Sequence, residues 1–240
     1  MPRNFLFPWF GGLRNLVLPP VCLFCRRQPA AEGAGVCRGC GAELAWIGIP
    51  RCPGCGGPLD TALALCGECL QAGGPRPWRQ AVSVFRFHGL ARQGIHRFKY
   101  RDCPEFAPWF GRLMAEAWGQ HGAGMPDVVA PVPLHWLREW RRGYNQAELL
   151  ARAVAAGLGC PHQKLLRRQH STKQQAKLHF LERQKNMEGV FRLKPGAEVL
   201  RKRVLLVDDV MTTGATLAAA AGPLLAAGAR EIGILTAARG

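Results

Sequence analysis

Eight of the ten cysteines form four Cys-x-x-Cys pairs within the first 70 residues, and this pattern limits what that part of the chain can fold into. The pairs are Cys22/Cys25, Cys37/Cys40, Cys52/Cys55 and Cys66/Cys69, separated by 11, 11 and 10 residues. Two thiolates of one pair can bind the same ion, so four pairs supply two tetrahedral sites suited to Zn²⁺. Because protein ligands would fill all four positions, we expect one or two structural zinc ions, with redox dithiols or an iron–sulfur cluster as alternatives. Spacing does not decide between sequential pairing (two zinc ribbons) and crossed pairing, and we expect the sequential form.

The charge of the chain favours anionic partners. Lys and Arg number 32 against 16 Asp and Glu, which gives a formal net charge of +16. Such a charge favours phosphorylated metabolites, nucleic acid or an acidic lipid surface, with solubility as the alternative explanation. The first 22 residues lack the continuous apolar segment of a signal peptide, and no apolar run approaches the roughly 18 residues of a membrane span. We therefore expect a cytoplasmic protein, with peripheral attachment to the inner face of the membrane as the alternative.

Composition divides the chain into two parts. Residues 1–75 are rich in Cys, Gly and Pro and form the expected zinc module, and a domain at 78–240 follows a Gly- and Pro-rich linker. The expected strands of that domain are 81–87, 127–134, 203–210 and 231–238. Its expected helices are 90–100, 105–121, 145–159 and 216–229, the last of them kinked or shortened by Pro223. Strands that alternate with helices predict an α/β domain with a mainly parallel, Rossmann-like sheet.

One expected strand carries two adjacent carboxylates near its end. The segment RVLLVDDVMTTGATL at 203–217 places Asp208 and Asp209 after an apolar run and then turns into a helix. Ligands of parallel sheets bind beyond the carboxyl ends of strands. Threonine hydroxyls, Gly214 and the free N–H groups of a helix start suit a phosphate, while the carboxylates suit sugar hydroxyls. The segment therefore predicts a sugar-phosphate site, with an Asp helix cap and a threonine-rich turn as the purely structural alternative.

Several motifs resemble known families. VLLVDDVMTTGAT at 204–216 resembles, at every position, the motif with which type I phosphoribosyltransferases bind phosphoribosyl pyrophosphate (PRPP). Further motifs resemble the ComF family of competence-associated proteins, namely FKY at 98–100, PVPLH at 131–135, RRGYNQAELLA at 141–151 and T-x-x-Q-x-x-L-x-x-x-x-R-x-x-N at 172–186. ComF proteins often carry a glycine shortly after the KY, whereas this chain reads KYRDCPEF. The resemblance covers nearly the whole chain and implies a type I phosphoribosyltransferase fold behind a double zinc ribbon.

The resemblance also implies roles for individual residues. Asp208 and Asp209 would contact the ribose hydroxyls of PRPP, which binds with Mg²⁺. The residues around its 5′-phosphate would be Thr212, Thr213, Gly214, Ala215 and Thr216. Candidate contacts to the pyrophosphate or to nucleic acid are Lys99, Pro133, Leu134, His135, Arg141, Arg142, Asn145 and Gln146. A flexible hood over the substrate would include Arg168, Thr172, Gln175 and Arg183.

The most basic stretch of the chain mixes cations with aromatic side chains. Residues 135–185 hold eleven Lys or Arg against three Glu. The aromatic residues Trp136, Trp140 and Tyr144 are interleaved there with Arg138, Arg141 and Arg142. Rings that stack on bases and guanidiniums that follow phosphates suit single-stranded DNA, although the same cations suit a pyrophosphate. Buried tryptophans beside a solvated basic face are the structural alternative.

Two classes of function remain open. By resemblance, the protein handles incoming single-stranded DNA in natural transformation, with a DNA-uptake helicase or other competence proteins as further partners. One hypothesis is an active phosphoribosyltransferase of nucleotide metabolism with an unidentified acceptor. The other is a non-catalytic module that links PRPP or nucleotide binding to single-stranded DNA. The sequence assigns neither the acceptor nor the oligomeric state.

Overall fold

The computed structural model describes residues 21–31, 34–60, 63–73, 76–100, 103–169 and 189–240. The predicted hood residues Thr172, Gln175 and Arg183 lie outside this part of the chain. The chain separates into two compact units, Met1–Leu44 and Ala45–Gly240. This division comes earlier than the composition change near residue 75, so the last two cysteine pairs share a unit with the sheet. The domains 1–75 and 78–240 stay a prediction from the sequence.

Six strands lie within the described part of the second unit. They are β1 (Gln80–Arg86), β2 (Val128–Pro131), β3 (Leu166–Arg168), β4 (Phe191–Leu193), β5 (Arg203–Met211) and β6 (Glu231–Arg239). Four of them form a parallel sheet in the order β1-β6-β5-β2, while β3 and β4 form a separate antiparallel pair. Residues 204–207 of β5 are all buried, because a central parallel strand is covered on both faces. The four predicted strands and the predicted parallel sheet are confirmed.

Helices cover both faces of this sheet. The first unit contains α1 (Arg38–Ala42), and the second contains α2 (Gly67–Gln71), α3 (Gly89–Tyr100), α4 (Phe106–His121), α5 (Trp136–Arg142), α6 (Gln146–Leu158) and α7 (Ala215–Ala226). A Cβ at Gly111 would lie 2.2 Å from that of Ala153, so glycine is what lets α4 and α6 approach closely. On the opposite face, α7 and the β3–β4 pair share one buried apolar cluster with the sheet. The helix α7 ends at Ala226, earlier than predicted and three residues after Pro223.

Two features of the fold are absent from the sequence prediction. The helix α5 has no buried residue, so it has no apolar face to reveal it in the sequence. The strands β3 and β4 have three residues each, too few for a recognisable alternation. Within the described residues, no helix has both the length and the hydropathy of a membrane span.

Candidate functional site

The first unit brings four cysteines together. Cys22, Cys25, Cys37 and Cys40 place their sulfur atoms within 4.8 Å of one another. Cys37 Sγ accepts a hydrogen bond from the Cys40 backbone N–H at 3.5 Å, at the start of α1. Burial acts to raise the pKa of Cys22, but backbone hydrogen bonds from Cys37, Cys25 and Phe24 outweigh burial and hold it at about 6. A thiol that ionises so readily suits Zn²⁺, which binds cysteine as the thiolate.

The last two cysteine pairs form a second cluster inside the core of the second unit. The sulfur atoms of Cys52, Cys55, Cys66 and Cys69 also lie within 4.8 Å of one another. Cys55 and Cys66 are 3.6 Å apart at Sγ, and the Cys66 N–H donates to Cys52 Sγ at 3.3 Å. A Cβ at Gly54 would lie 2.9 Å from Cys69 Sγ, so the turn needs glycine. The cysteines therefore group in sequence order, and each group has the four ligands that a structural zinc ion requires.

Two side chains tie the second cluster to the carboxyl ends of the strands. Trp78 donates its Nε1–H to the Gly54 carbonyl, in the first turn of the cluster, at 3.0 Å. The same ring lies against Gly214 in the loop after β5, where an added Cβ would be 3.3 Å from Trp78 Cη2. Arg239, the last residue of β6, bonds to the side chain of Cys55. The second cluster therefore supports the loop that the sequence assigns to a phosphate.

The strand β5 carries the two predicted carboxylates. Because successive strand residues point to opposite faces, Asp208 and Asp209 face different layers of the fold. Asp209 Oδ1 lies 2.8 Å from Lys99 Nζ, and Asp208 Oδ1 accepts a hydrogen bond from the Asp209 backbone N–H at 2.9 Å. Burial, followed by the charge of Asp209, raises the pKa of Asp208 to about 7, although Lys99 and Arg168 oppose this rise. One carboxylate is therefore held in an ion pair, and the other titrates near neutral pH.

The loop after β5 has the geometry of an anion site. Thr213 Oγ1 accepts a hydrogen bond from the Ala215 N–H at 3.4 Å, and Thr212 is exposed. Gly214 has a φ of 79°, a left-handed conformation that glycine adopts without strain, and it precedes α7 as its cap. Ala215 and Thr216 form the first turn of α7, where the leading N–H groups have no partner within the helix. The five predicted phosphate residues thus surround a helix N-terminus, whose dipole favours negative charge.

The loop after β2 lines a cavity of about 210 Å³. Pro133 and Leu134, two predicted contacts, lie in its wall together with Trp136 and Asn145. The charged residues of the wall are Glu139, Glu148, Lys164, Arg167, Arg168 and Lys194. His135 is buried and caps α5, because its Nδ1 accepts a hydrogen bond from the Leu137 N–H at 3.3 Å. Since basic residues outnumber acidic ones, the cavity suits an anionic group.

The segment between α5 and α6 holds the end of α3. The Phe98 carbonyl, in the last turn of α3, accepts hydrogen bonds from Tyr144 Oη at 2.6 Å and from Gln146 Nε2 at 3.4 Å. Gln146 Oε1 accepts a hydrogen bond from Arg142 Nη1 at 3.0 Å. Two of the predicted ligand contacts, Arg142 and Gln146, therefore bond to the protein itself, and a direct contact to a ligand stays a prediction for both.

The remaining predicted contacts lie around this segment. Asn145 caps α6 and donates its Nδ2–H to the Val132 carbonyl at 3.2 Å, which joins α6 to the loop after β2. Arg141 is exposed at the end of α5. Arg168 lines the cavity and also interacts with Asp208, so it connects the cavity with the carboxylates. Burial and the charge of Arg138 lower the pKa of Arg168, and the charge of Asp208 opposes this decrease.

Of the charged residues of the cavity wall, only Arg168 was predicted from the sequence, and Glu148 is the buried one among those that were missed. Its Oε1 lies 2.8 Å from Arg152 Nε and 3.4 Å from Lys164 Nζ, and its Oε2 lies 3.4 Å from His162 Nε2. The sequence does contain one indication of its ion pairs, because Glu148 and Arg152 are four residues apart on a predicted helix. The contacts from residues 162 and 164 depend on tertiary structure and leave no pattern in the sequence.

Comparison with protein families matches the chain in two places. Residues 13–70 match the double zinc ribbon domain, and residues 144–240 match the phosphoribosyl transferase domain. The DNA utilization protein YhgH of Salmonella typhi is 34% identical over 90% of this chain and 96% of its own length. Competence protein F of Haemophilus influenzae is 32% identical over 91% of this chain and 96% of its own length. Competence protein ComFC of Bacillus subtilis is 30% identical over 91% and 92% of the two chains.

The two domain matches agree with the geometry. The zinc-ribbon match contains both cysteine clusters, and the transferase match contains the carboxylates of β5 and the loop that follows them. The relatives cover nine tenths of this chain and almost all of their own length, so the similarity extends over both domains. The chain therefore belongs to the ComF family, in which a double zinc ribbon is joined to a phosphoribosyltransferase domain.

Proposed function

We propose that the carboxyl edge of the sheet binds PRPP together with Mg²⁺. The observation that carries this proposal is the carboxylate pair of β5, in which Asp209 is buried and Asp208 half-buried, followed at once by a threonine-lined helix N-terminus. Carboxylates accept hydrogen bonds from ribose hydroxyls, and the loop donates backbone N–H groups to the 5′-phosphate. The match to the phosphoribosyl transferase domain supports the same class of ligand.

The cavity beside β2 is the proposed place for the diphosphate. Pro131 of β2 pairs with Val207 of β5, one residue before Asp208, so the cavity and the carboxylates share one edge of the sheet. The basic residues of its wall are Lys164, Arg167, Arg168 and Lys194. They would offset part of the diphosphate charge, and Mg²⁺, which prefers phosphate oxygens, would offset more.

Thermal unfolding in the presence of PRPP and Mg²⁺ tests the assignment. A ligand that binds only the folded state raises the unfolding temperature as its concentration rises. We expect this rise in the wild type and not in the Asp208→Asn/Asp209→Asn double variant. Asp127→Asn is the control, because Asp127 pairs with Arg203 at the opposite end of β5. An equal rise in the wild type and the double variant would show that the ligand binds elsewhere.

Transfer of the phosphoribosyl group is the catalytic form of this proposal. In that reaction the bond from C1 of the ribose to the diphosphate breaks as C1 bonds to an acceptor. Incubation with PRPP, Mg²⁺ and a panel of nucleobases should then release pyrophosphate only when the acceptor is present. Stabilisation by PRPP without release across the panel would favour the non-catalytic binding module.

A second proposal assigns α5 to contact with single-stranded DNA. Trp136 and Trp140 are 68% and 80% exposed, and Arg141 beside them is also exposed. Tyr144 instead donates its hydroxyl to Phe98, so two of the three predicted aromatics present their rings to solvent. Exposed rings next to guanidiniums suit stacking on unpaired bases. The names of the relatives, which refer to DNA utilization and competence, support the same class of partner.

Fluorescence anisotropy of a labelled thymidine oligonucleotide, measured over a series of salt concentrations, tests this surface. Trp140→Ala should weaken binding by about 5- to 100-fold with an unchanged salt slope, because one stacked base is lost. Arg141→Ala should reduce the salt slope by about 0.7, the value of one phosphate contact. Arg230→Ala removes the same charge at the amino end of β6 and should change neither quantity. Equal effects at Arg141 and Arg230 would show that the oligonucleotide is attracted by the overall charge and not bound at α5. Absence of binding at low salt would refute the proposal.

A further inference from the structure

The last turn of α3 places a lysine against the carboxylate pair. Lys99 Nζ lies 2.8 Å from Asp209 Oδ1, and the two side chains are 19% and 11% exposed. Burial acts to lower the pKa of Lys99, but the charges of Asp209 and Asp208 outweigh burial and raise it above its ordinary value. The two carboxylates therefore hold Lys99 in its ammonium form in a place largely closed to water.

The backbone on both sides of this lysine is held by the segment 142–146. Carbonyls in the last turn of a helix have no partner within the helix, and the Phe98 carbonyl finds two in Tyr144 and Gln146. The Tyr144 ring also packs on the Phe98 ring, with centroids 5.7 Å apart. The Arg142 guanidinium lies 4.8 Å from the centre of the Tyr100 ring and donates to Gln146 at 3.0 Å. These contacts hold the residues on both sides of Lys99 and so fix the backbone position from which its side chain extends.

The charges around Asp208 come from three elements. Asp209 adjoins it on β5, Lys99 reaches it from α3, and Arg168 reaches it from β3. Burial and Asp209 raise the pKa of Asp208, whereas Lys99 and Arg168 lower it. Arg168 is half-buried, and burial and the charge of Arg138 lower its pKa, whereas Asp208 raises it. Without the ammonium, two adjacent carboxyls would share one cation and would take up a proton at higher pH.

We propose that Lys99 is the positioning residue of the sugar site. The segment 142–146 fixes its ammonium, and the ammonium fixes Asp209 as an oriented carboxylate. One Asp209 oxygen is then bound to Lys99, and the other remains to accept a ribose hydroxyl. The idea rests on the proposed binding of a ribose phosphate, and it gives Lys99 a partner in the protein in place of the direct pyrophosphate contact expected from the sequence.

Titration of the aspartates in the ligand-free protein tests the electrostatic part. Carboxyl-carbon NMR of aspartate-labelled protein, from about pH 5 to about pH 9, gives the midpoint for Asp208. Lys99→Met keeps the length of the side chain, and we expect it to raise that midpoint by about one pH unit or more, a tenfold change in proton affinity. Lys99→Arg should bring the midpoint back towards the wild type, which a purely structural role would not do. Lys202→Met, just before β5 at its opposite end, is the matched control and should titrate as the wild type does.

Calorimetric titration with ribose 5-phosphate and with PRPP–Mg²⁺ tests the binding part. Wild-type affinity should rise with pH through the Asp208 midpoint, because the ionised carboxylate is the better acceptor. Near pH 7, Lys99→Met should bind about tenfold or more weakly. Tyr144→Phe should bind about 3- to 10-fold more weakly, because it loses one hydrogen bond that positions Phe98.

The two arms separate the possible failures. If the wild type binds neither ligand while Lys99→Met still shifts the midpoint, the proposed function fails and the positioning of the carboxylates stands. If the wild type binds and Lys99→Met alters neither the midpoint nor the affinity, the positioning role is refuted and the proposed function stands.

Discussion

Replacing Asp208 with asparagine should stabilise the ligand-free protein above neutral pH while it weakens binding of the sugar phosphate. In the fold, burial and Asp209 raise the pKa of Asp208 from its ordinary value of 3.8 to about 7. Between these two values the folded state keeps a proton that the unfolded state has released, so the free energy of unfolding falls as pH rises. Above about pH 7 Asp208 is ionised in both the folded and the unfolded state, and the full decrease in the free energy of unfolding is present. Asparagine has no charge to bury and escapes this loss.

The size of the effect follows from the two pKa values. The difference between 3.8 and about 7 corresponds to about 4 kcal/mol, at about 1.4 kcal/mol for each pKa unit. This is an upper bound for Asp208→Asn, because the asparagine amide also loses hydration on burial. We expect the variant to be more stable than the wild type by roughly 1–3 kcal/mol at about pH 8.5. Its advantage should grow between about pH 4 and about pH 7 and then become constant.

Urea denaturation of zinc-loaded protein at about pH 6, 7 and 8.5 measures this advantage. Other titrating groups are common to both proteins, so the difference between the two unfolding free energies isolates Asp208. Asp127→Asn is a control with the opposite sign. Hydrogen bonds from Arg203 lower the pKa of Asp127, so its removal should destabilise the fold. A variant at Asp208 with no gain in stability, or with a gain independent of pH, would show that this carboxyl ionises as an ordinary surface aspartate does.

Three further substitutions test other parts of the fold. Gly111→Val should lower the free energy of unfolding by about 2 kcal/mol or more, because α6 leaves no room for a Cβ at this position. Urea denaturation should show a smaller loss for the control Gly119→Val, since no atom lies within 4 Å of a Cβ there. Gly214→Ala should reduce the thermal shift caused by PRPP and cost about 1 kcal/mol of stability, whereas Gly196→Ala has a similar φ in open space and should leave the PRPP shift unchanged. Cys69→Ala should reduce the zinc content by about one ion per chain and lower the unfolding temperature of the second unit, and an unchanged zinc content by atomic absorption would contradict the second cluster.

The parts of the fold that could be predicted from the sequence are those with long, regular patterns. The apolar run at 204–207 predicts a strand covered on both faces, and β5 confirms it. The helix at 145–159 is equally clear, because an apolar stripe follows a capping Asn145. Neither α5 nor the β3–β4 pair has such a pattern, since α5 has no buried residue and each strand of the pair has three residues. Helices and strands were therefore predicted correctly where burial requires a regular pattern of apolar residues.

The candidate site divides in the same way. The Cys-x-x-Cys spacing predicts ligands on tight turns, and the clusters follow sequence order as expected. The contact between Lys99 and Asp209 joins residues more than a hundred positions apart, and no local pattern pairs them. Tyr144 reads as a base-stacking ring because it follows two arginines, yet its hydroxyl bonds to Phe98. A motif therefore shows which residues matter, while tertiary structure decides whether each one touches the ligand or another side chain.

Trp78 contacts both the second cysteine cluster and the loop after β5, and these contacts limit where the chain can be truncated without loss of its fold. A deletion of residues 1–75 would remove the Gly54 carbonyl that Trp78 bonds to, together with three buried cysteines of the core. Loss of PRPP binding in that fragment would therefore report misfolding of the sheet domain. A fragment that begins at Ala45 keeps the second cluster with its sheet. A truncation or a gene fusion that preserves the transferase domain should therefore also preserve the second cysteine cluster, which belongs to the core of that domain.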